Sequence, residues 1–73
     1  MPLKRYDLIE KLYLQAINLE PKNVQIYVSL ATTYGKMHNK EKAIEYANKA
    51  LELYPNLKPQ VEEFIQIIEN EEW

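Results

Sequence analysis

The chain repeats itself. Laid over itself at an offset of 34 residues, positions 6–37 fall on 40–71 and pair Ala16 with Ala50, Ile17 with Leu51, Leu19 with Leu53 and Pro21 with Pro55. The same register pairs Tyr27 with Val61, Leu30 with Phe64, Ala31 with Ile65 and Tyr34 with Ile68, apolar for apolar. A period of this length marks stacked supersecondary units, each burying its apolar face against the next. Few folds satisfy that constraint in 73 residues.

Inside each period the apolar residues recur at steps of three and four, the spacing of one helix face. The first stripe is Leu8, Ile9, Leu12, Tyr13, Ala16 and Ile17, with Leu14 and Leu19 widening it. It ends at Glu20-Pro21, because the residue before proline is pushed out of the α region. The second is Val24, Tyr27, Val28, Leu30, Ala31, Tyr34 and Met37, with Asn23 placed to cap it. Ala43, Ile44, Ala47, Ala50, Leu51 and Tyr54 form the third, opened by the polar turn His38-Asn39-Lys40 and closed by Pro55. The fourth is Val61, Phe64, Ile65 and Ile68, with Pro59 in its first turn, where proline is tolerated. These stripes predict helices over about 4–20, 24–37, 41–54 and 58–72, one small domain across 1–73. The short connections make consecutive helices antiparallel neighbours.

Composition narrows the function classes. With no cysteine there is no disulfide framework, thiolate zinc cluster or redox pair. The apolar content of 47% suits a globular chain. Residues 1–56 carry slightly more Lys and Arg than Asp and Glu, whereas the last segment sets Lys58 against Glu62, Glu63, Glu69, Glu71 and Glu72. An acidic end disfavours nucleic acid, whose affinity rests on cations at phosphates. No apolar run approaches the length of a membrane span, and the charges that follow Lys4 and Arg5 argue against a secretory leader. The expectation is a soluble chain compatible with the cytoplasm, without nucleic-acid or membrane contact.

The residues that carry chemistry are sparse. His38 stands in a polar turn with no carboxylate constellation near it in the sequence. Glu62-Glu63 and Glu71-Glu72 are adjacent on a helix, about 100° apart, and do not converge on one ion. Ser29, Thr32 and Thr33 lack a base, and there is no glycine-rich phosphate loop. No enzyme activity, cofactor or metal is expected. The tyrosines read as packing: Tyr27, Tyr34 and Tyr54 at repeat positions, Tyr6, Tyr13 and Tyr46 as packing residues or surface anchors.

The complete copy reads Tyr27-x2-Leu30-Ala31-x2-Tyr34, then Ala43, then Ala50-Leu51-Glu52-Leu53-Tyr54-Pro55. This resembles the tetratricopeptide repeat, whose pattern is W-x2-L-G-x2-Y…A-x3-F…P. The chain departs from it at Tyr27 for Trp and at Ala47, where a large aromatic is usual. The resemblance implies an all-α fragment of a right-handed α-solenoid, with four antiparallel helices in the order B-A-B-A, working as a protein-binding scaffold. Family members bind extended peptides along the inner face of their first helices. Carried over, those positions are Gln25, Val28, Ser29, Thr32, Gly35 and Lys36 in the second helix. In the fourth they are Pro59, Glu62, Glu63, Gln66, Glu69 and Asn70. The lysine–asparagine clamp of chaperone-binding members is missing. One neutral and one acidic wall would favour a neutral or basic segment.

Small residues let helix backbones approach, so Ala31 and Ala43 are expected to meet inside the central hairpin. Ile9 and Ile65 occupy the matching positions of the flanking copies. The first and last helices therefore read as half-repeats without their own partners. The first is apolar on more than one face, and each Leu or Ile buried there would contribute about 1.5–3 kcal/mol. Either the chain belongs to a longer array, or it self-associates through Leu8, Ile9, Leu12 and Tyr13 as a two-fold dimer. A purely structural or designed solenoid fragment is the alternative. Trp73 could anchor a partner or simply end the chain.

Overall fold

The computed structural model describes residues 5–70. It holds α1 (Tyr6–Leu19), α2 (Val24–Lys36), α3 (Lys40–Leu53), a short 3-10 turn (Pro55–Leu57) and α4 (Lys58–Asn70), with no strand among the described residues. The fold is all-α and tetratricopeptide-like. Lys4, Glu71, Glu72 and Trp73, on which expectations about helix ends and an anchor rested, lie outside the described residues.

Side-chain caps open the central helices. The Asn23 side chain accepts from the Gln25 backbone N–H at 3.0 Å and donates to Glu20 Oε1 at 2.7 Å. Asn39 does the same duty for α3, accepting from the Lys42 N–H at 3.3 Å. Arg5 precedes α1 and supplies no side-chain cap. Between α2 and α3 the chain reverses at His38, not at Gly35. His38 has φ 60°, and no glycine among the described residues has positive φ. The His38 N–H donates to Gly35 O at 3.0 Å and the Asn39 N–H to Tyr34 O at 2.9 Å. That pair of bonds is the Schellman closure of a helix C-terminus, with histidine in the place glycine usually takes. Gly35 is buried in the last turn of α2.

The core divides into two clusters. Leu30, Tyr34, Ala43 and Ile68 form one, with Tyr13, Ile17, Met37, Ile44, Tyr46 and Phe64 packed around it. Ala31, Ala47 and Val61 form the other, flanked by Leu51, Leu57, Phe64 and Ile65. Ala31 is thus grouped with Ala47, and Ala43 with Tyr34. The antiparallel register explains this: moving up α2 from 31 to 34 moves down α3 from 47 to 43. Alanine at 47, where the family favours an aromatic, leaves room for the side chains that α2 and α4 send inward. The aromatic mass sits one residue earlier, at Tyr46, whose ring lies 6.2 Å from that of Tyr27 and 5.5 Å from that of Tyr34. Buried Thr33 satisfies its hydroxyl by donating to Ser29 O at 2.9 Å. Across its thin dimension the molecule measures 14 Å between Cα atoms, about one interhelix spacing plus one Cα cylinder. It is a slab two helices deep.

Candidate functional site

The slab is open on one side. Val24, Gln25, Val28, Ala31 and Thr32 of α2, Ala47 and Ala50 of α3, Tyr54 and Leu57 of the connection, and Gln60, Val61 and Phe64 of α4 enclose a groove of about 410 Å³. Its floor is alanine because α3 there must lie close to both α2 and α4. Its walls are valine, leucine and phenylalanine, and its polar groups are the Gln25 and Gln60 amides and the Thr32 hydroxyl. That hydroxyl already donates to Val28 O at 3.1 Å. Val28 and Tyr54 remain 37% and 49% exposed, although both are large enough to be buried. The groove holds no ionisable group but the Tyr54 phenol, so it can bind by excluding water and by shape, with the two amides left to orient a ligand.

Of the residues carried over from the resemblance, Gln25, Val28 and Thr32 stand in this groove. Ser29 is half-buried, and Lys36 is exposed at the end of α2. Glu62, Glu63, Gln66 and Glu69 are exposed on α4 but do not line the groove, and neither do Gly35, Pro59 and Asn70. Translation by one repeat maps a flank of α2 onto the same flank of α4, which points away from α2. A cleft between neighbouring helices is walled by opposite flanks, here Leu57, Gln60, Val61 and Phe64. Their spacing of i, i+3, i+4 and i+7 was visible in the sequence. Tyr54, read as packing, is instead a groove residue.

A second apolar surface lies on α1. No residue of this helix is buried. Tyr13 and Ile17 turn inward onto the first core cluster, and Ile9 is half-buried. Leu8, Leu12 and Leu19 face outward, 49%, 57% and 83% exposed. Of the four residues expected to mediate self-association, Leu8 and Leu12 are exposed, Ile9 is half-buried, and Tyr13 packs against the core. Leu19 joins Leu8 and Leu12.

A polar contact between side chains fastens α1 to α2. The Tyr34 hydroxyl donates to Glu10 Oε2 at 2.6 Å. Burial pushes the Tyr34 phenol well above its ordinary range, and the bond to Glu10 pushes it further. Tyr46 is raised in the same direction, first by burial and then by the neighbouring Glu45. Lys42 and Lys49 stand 5.7 and 5.9 Å from the centres of the Tyr34 and Tyr46 rings. The arrangement suits fastening helices. The described residues contain no group of three or more His, Cys, Asp or Glu placed to hold a metal ion. None of their helices is long and apolar enough to cross a membrane.

Comparison with known proteins agrees with this architecture. Residues 24–57, which span α2, α3 and the 3-10 turn, match the Tetratricopeptide repeat family. The chain is 36% identical over 52 residues to a Protein SGT1 homolog of Oryza sativa subsp. japonica, a match covering 71% of this chain and 14% of that protein. No solved structure matches. Repeats of this family are non-catalytic and bind proteins or peptides. Residues 24–57, folded as a helical hairpin with a further helix on either side, are a tetratricopeptide repeat.

Proposed function

We propose that this chain is a protein-binding scaffold without catalytic duty, and that it holds an apolar segment of another polypeptide in the groove between α2, α3 and α4. One observation carries the reading: a concave, almost wholly apolar surface of about 410 Å³ with Val28 and Tyr54 still exposed in it. Pockets of this size and lining take large apolar side chains, while a few amides fix direction. The acidic residues Glu62, Glu63 and Glu69 lie on the same helix outside the groove, so they would act on what flanks the bound segment and favour neutral or basic neighbours. Panning a displayed library of random peptides on the wild-type chain and on Val28→Glu tests this. Peptides with two or more large apolar residues should be enriched by the wild type and lost on the variant. Equal enrichment by both, or enrichment of acidic peptides without apolar residues, contradicts the proposal.

A second reading, that the chain acts as part of a longer helical array, is favoured by α1. A helix with no buried residue and an outward leucine stripe is what a solenoid leaves behind when the neighbour on that side is missing.

A further inference from the structure

Two apolar surfaces lie open among the described residues, and their shapes are opposite. Leu8, Leu12 and Leu19 form a ridge on α1, falling within about 40° of one another at 100° per residue. The groove between α2, α3 and α4 is a hollow with no charged lining residue. We propose that the occupant of the groove is the leucine ridge of α1 from a second copy of this chain. The inference rests on the groove being a protein-binding surface and names what binds there.

Size favours it. The α2 wall from Val24 to Thr32 runs about 12 Å, and Leu8 and Leu12 are about 6 Å apart along their helix, with Leu19 about 10 Å further on. The first two leucines fit within the wall, and the third, about 16 Å from the first, lies past its end. Amphipathic helices dock in grooves through anchors one or more turns apart on a single face, and α1 presents that pattern. Charge favours it too. The exposed cations Arg5 and Lys11 border the ridge, whereas Asp7 lies about 120° from its centre and Glu10 is engaged by Tyr34. The helix that walls the groove, α4, carries Glu62, Glu63 and Glu69 outside the groove, with Lys58 drawn to Glu62 at 4.0 Å. A ridge in the groove brings the basic border toward the acidic helix. Two ridges packed on each other would instead bring Arg5 and Lys11 toward their own copies.

The two surfaces differ, so the contact is heterologous: it closes by reciprocal exchange or as a ring, or it continues into a chain of copies. Sedimentation equilibrium on two variants decides the matter. Leu12→Glu removes the ridge and keeps the groove; Val28→Glu fills the groove with charge and keeps the ridge. The wild type should self-associate, and each variant alone should be monomeric at concentrations where the wild type is not, with its association weakened by about tenfold or more. Mixed together, the variants should restore association as a 1:1 complex that grows no further. A monomeric wild type, a mixture that stays monomeric, or a Val28→Glu variant that self-associates like the wild type would each overturn the proposal, the last in favour of ridge-on-ridge pairing. Helical content by circular dichroism checks each variant, and Leu19→Glu and Thr32→Arg replace any that does not fold. Peptide binding separates the two readings. If Leu12→Glu still takes peptides in the groove while the mixture stays monomeric, only the second copy is wrong. If Val28→Glu and Thr32→Arg bind peptides as the wild type does, the groove itself is wrong.

Discussion

At the level of single side chains, Tyr34 joins the first helix to the central hairpin, since its hydroxyl reaches Glu10 at 2.6 Å while its ring is 1% exposed. Tyr34→Phe should therefore cost about 1–2 kcal/mol in urea denaturation at neutral pH. The same residue makes stability pH-dependent. Its phenol is raised in the folded state, so the unfolded chain loses the proton first, near pH 10. Stability is complete below that pH and declines above it by about 1.4 kcal/mol per pH unit for each such group. Tyr46 is shifted in the same direction and leaves part of the decline behind. Between about pH 9.5 and 11 the urea midpoint of the wild type should fall more steeply than that of Tyr34→Phe; equal slopes would refute the assignment. His38 gives an opposite case. Its φ of 60° places a Cβ where glycine has none, a strain of about 1–2 kcal/mol. His38→Gly should raise stability by about 1 kcal/mol after the glycine's own entropy is counted, read as a higher melting temperature.

At the level of elements, much was legible in the sequence, because the 3.6-residue pattern and the proline and asparagine punctuation act locally. Asn23 caps α2 and Pro59 stands in the first turn of α4, each for reasons a single segment contains. Relations between helices were harder to read. Which alanine opposes which depends on antiparallel register, and Ala31 groups with Ala47 although Ala43 seemed its natural partner. The groove walls depend on which flanks face each other, and repeat-to-repeat translation carried Glu62, Glu63, Gln66 and Glu69 to the other side of α4. The register has a consequence. Ala47 belongs to the core and to the groove floor together, so Ala47→Phe, which restores the family's usual aromatic, should cost about 1–3 kcal/mol by overpacking and abolish groove binding. A stabilised variant that still binds would show that the site has spare room. Helix α1, uncapped and without a buried residue, should exchange its amide hydrogens before α2 and α3 do.

For the molecule as a whole, a slab two helices deep keeps two faces close to every residue and can bury few of them fully. Leu14 and Leu53 apart, the large apolar side chains left exposed among the described residues lie on a ridge of α1 or in a hollow between α2, α3 and α4, and both surfaces gain if a polypeptide covers them. That is the physical basis for the proposal of a scaffold, since at each surface contact with another chain would replace contact with water. Amide chemical-shift mapping tests the central claim most directly. With ¹⁵N-labelled Leu12→Glu, whose groove is free of neighbouring copies, a selected apolar peptide should move the signals of Val24, Val28, Thr32, Ala47, Ala50, Val61 and Phe64. The signals of Glu62 and Glu69 on the outer face of α4 should stay in place. Shifts confined to the outer face of α4 or to α1, with the groove signals unmoved, would contradict it.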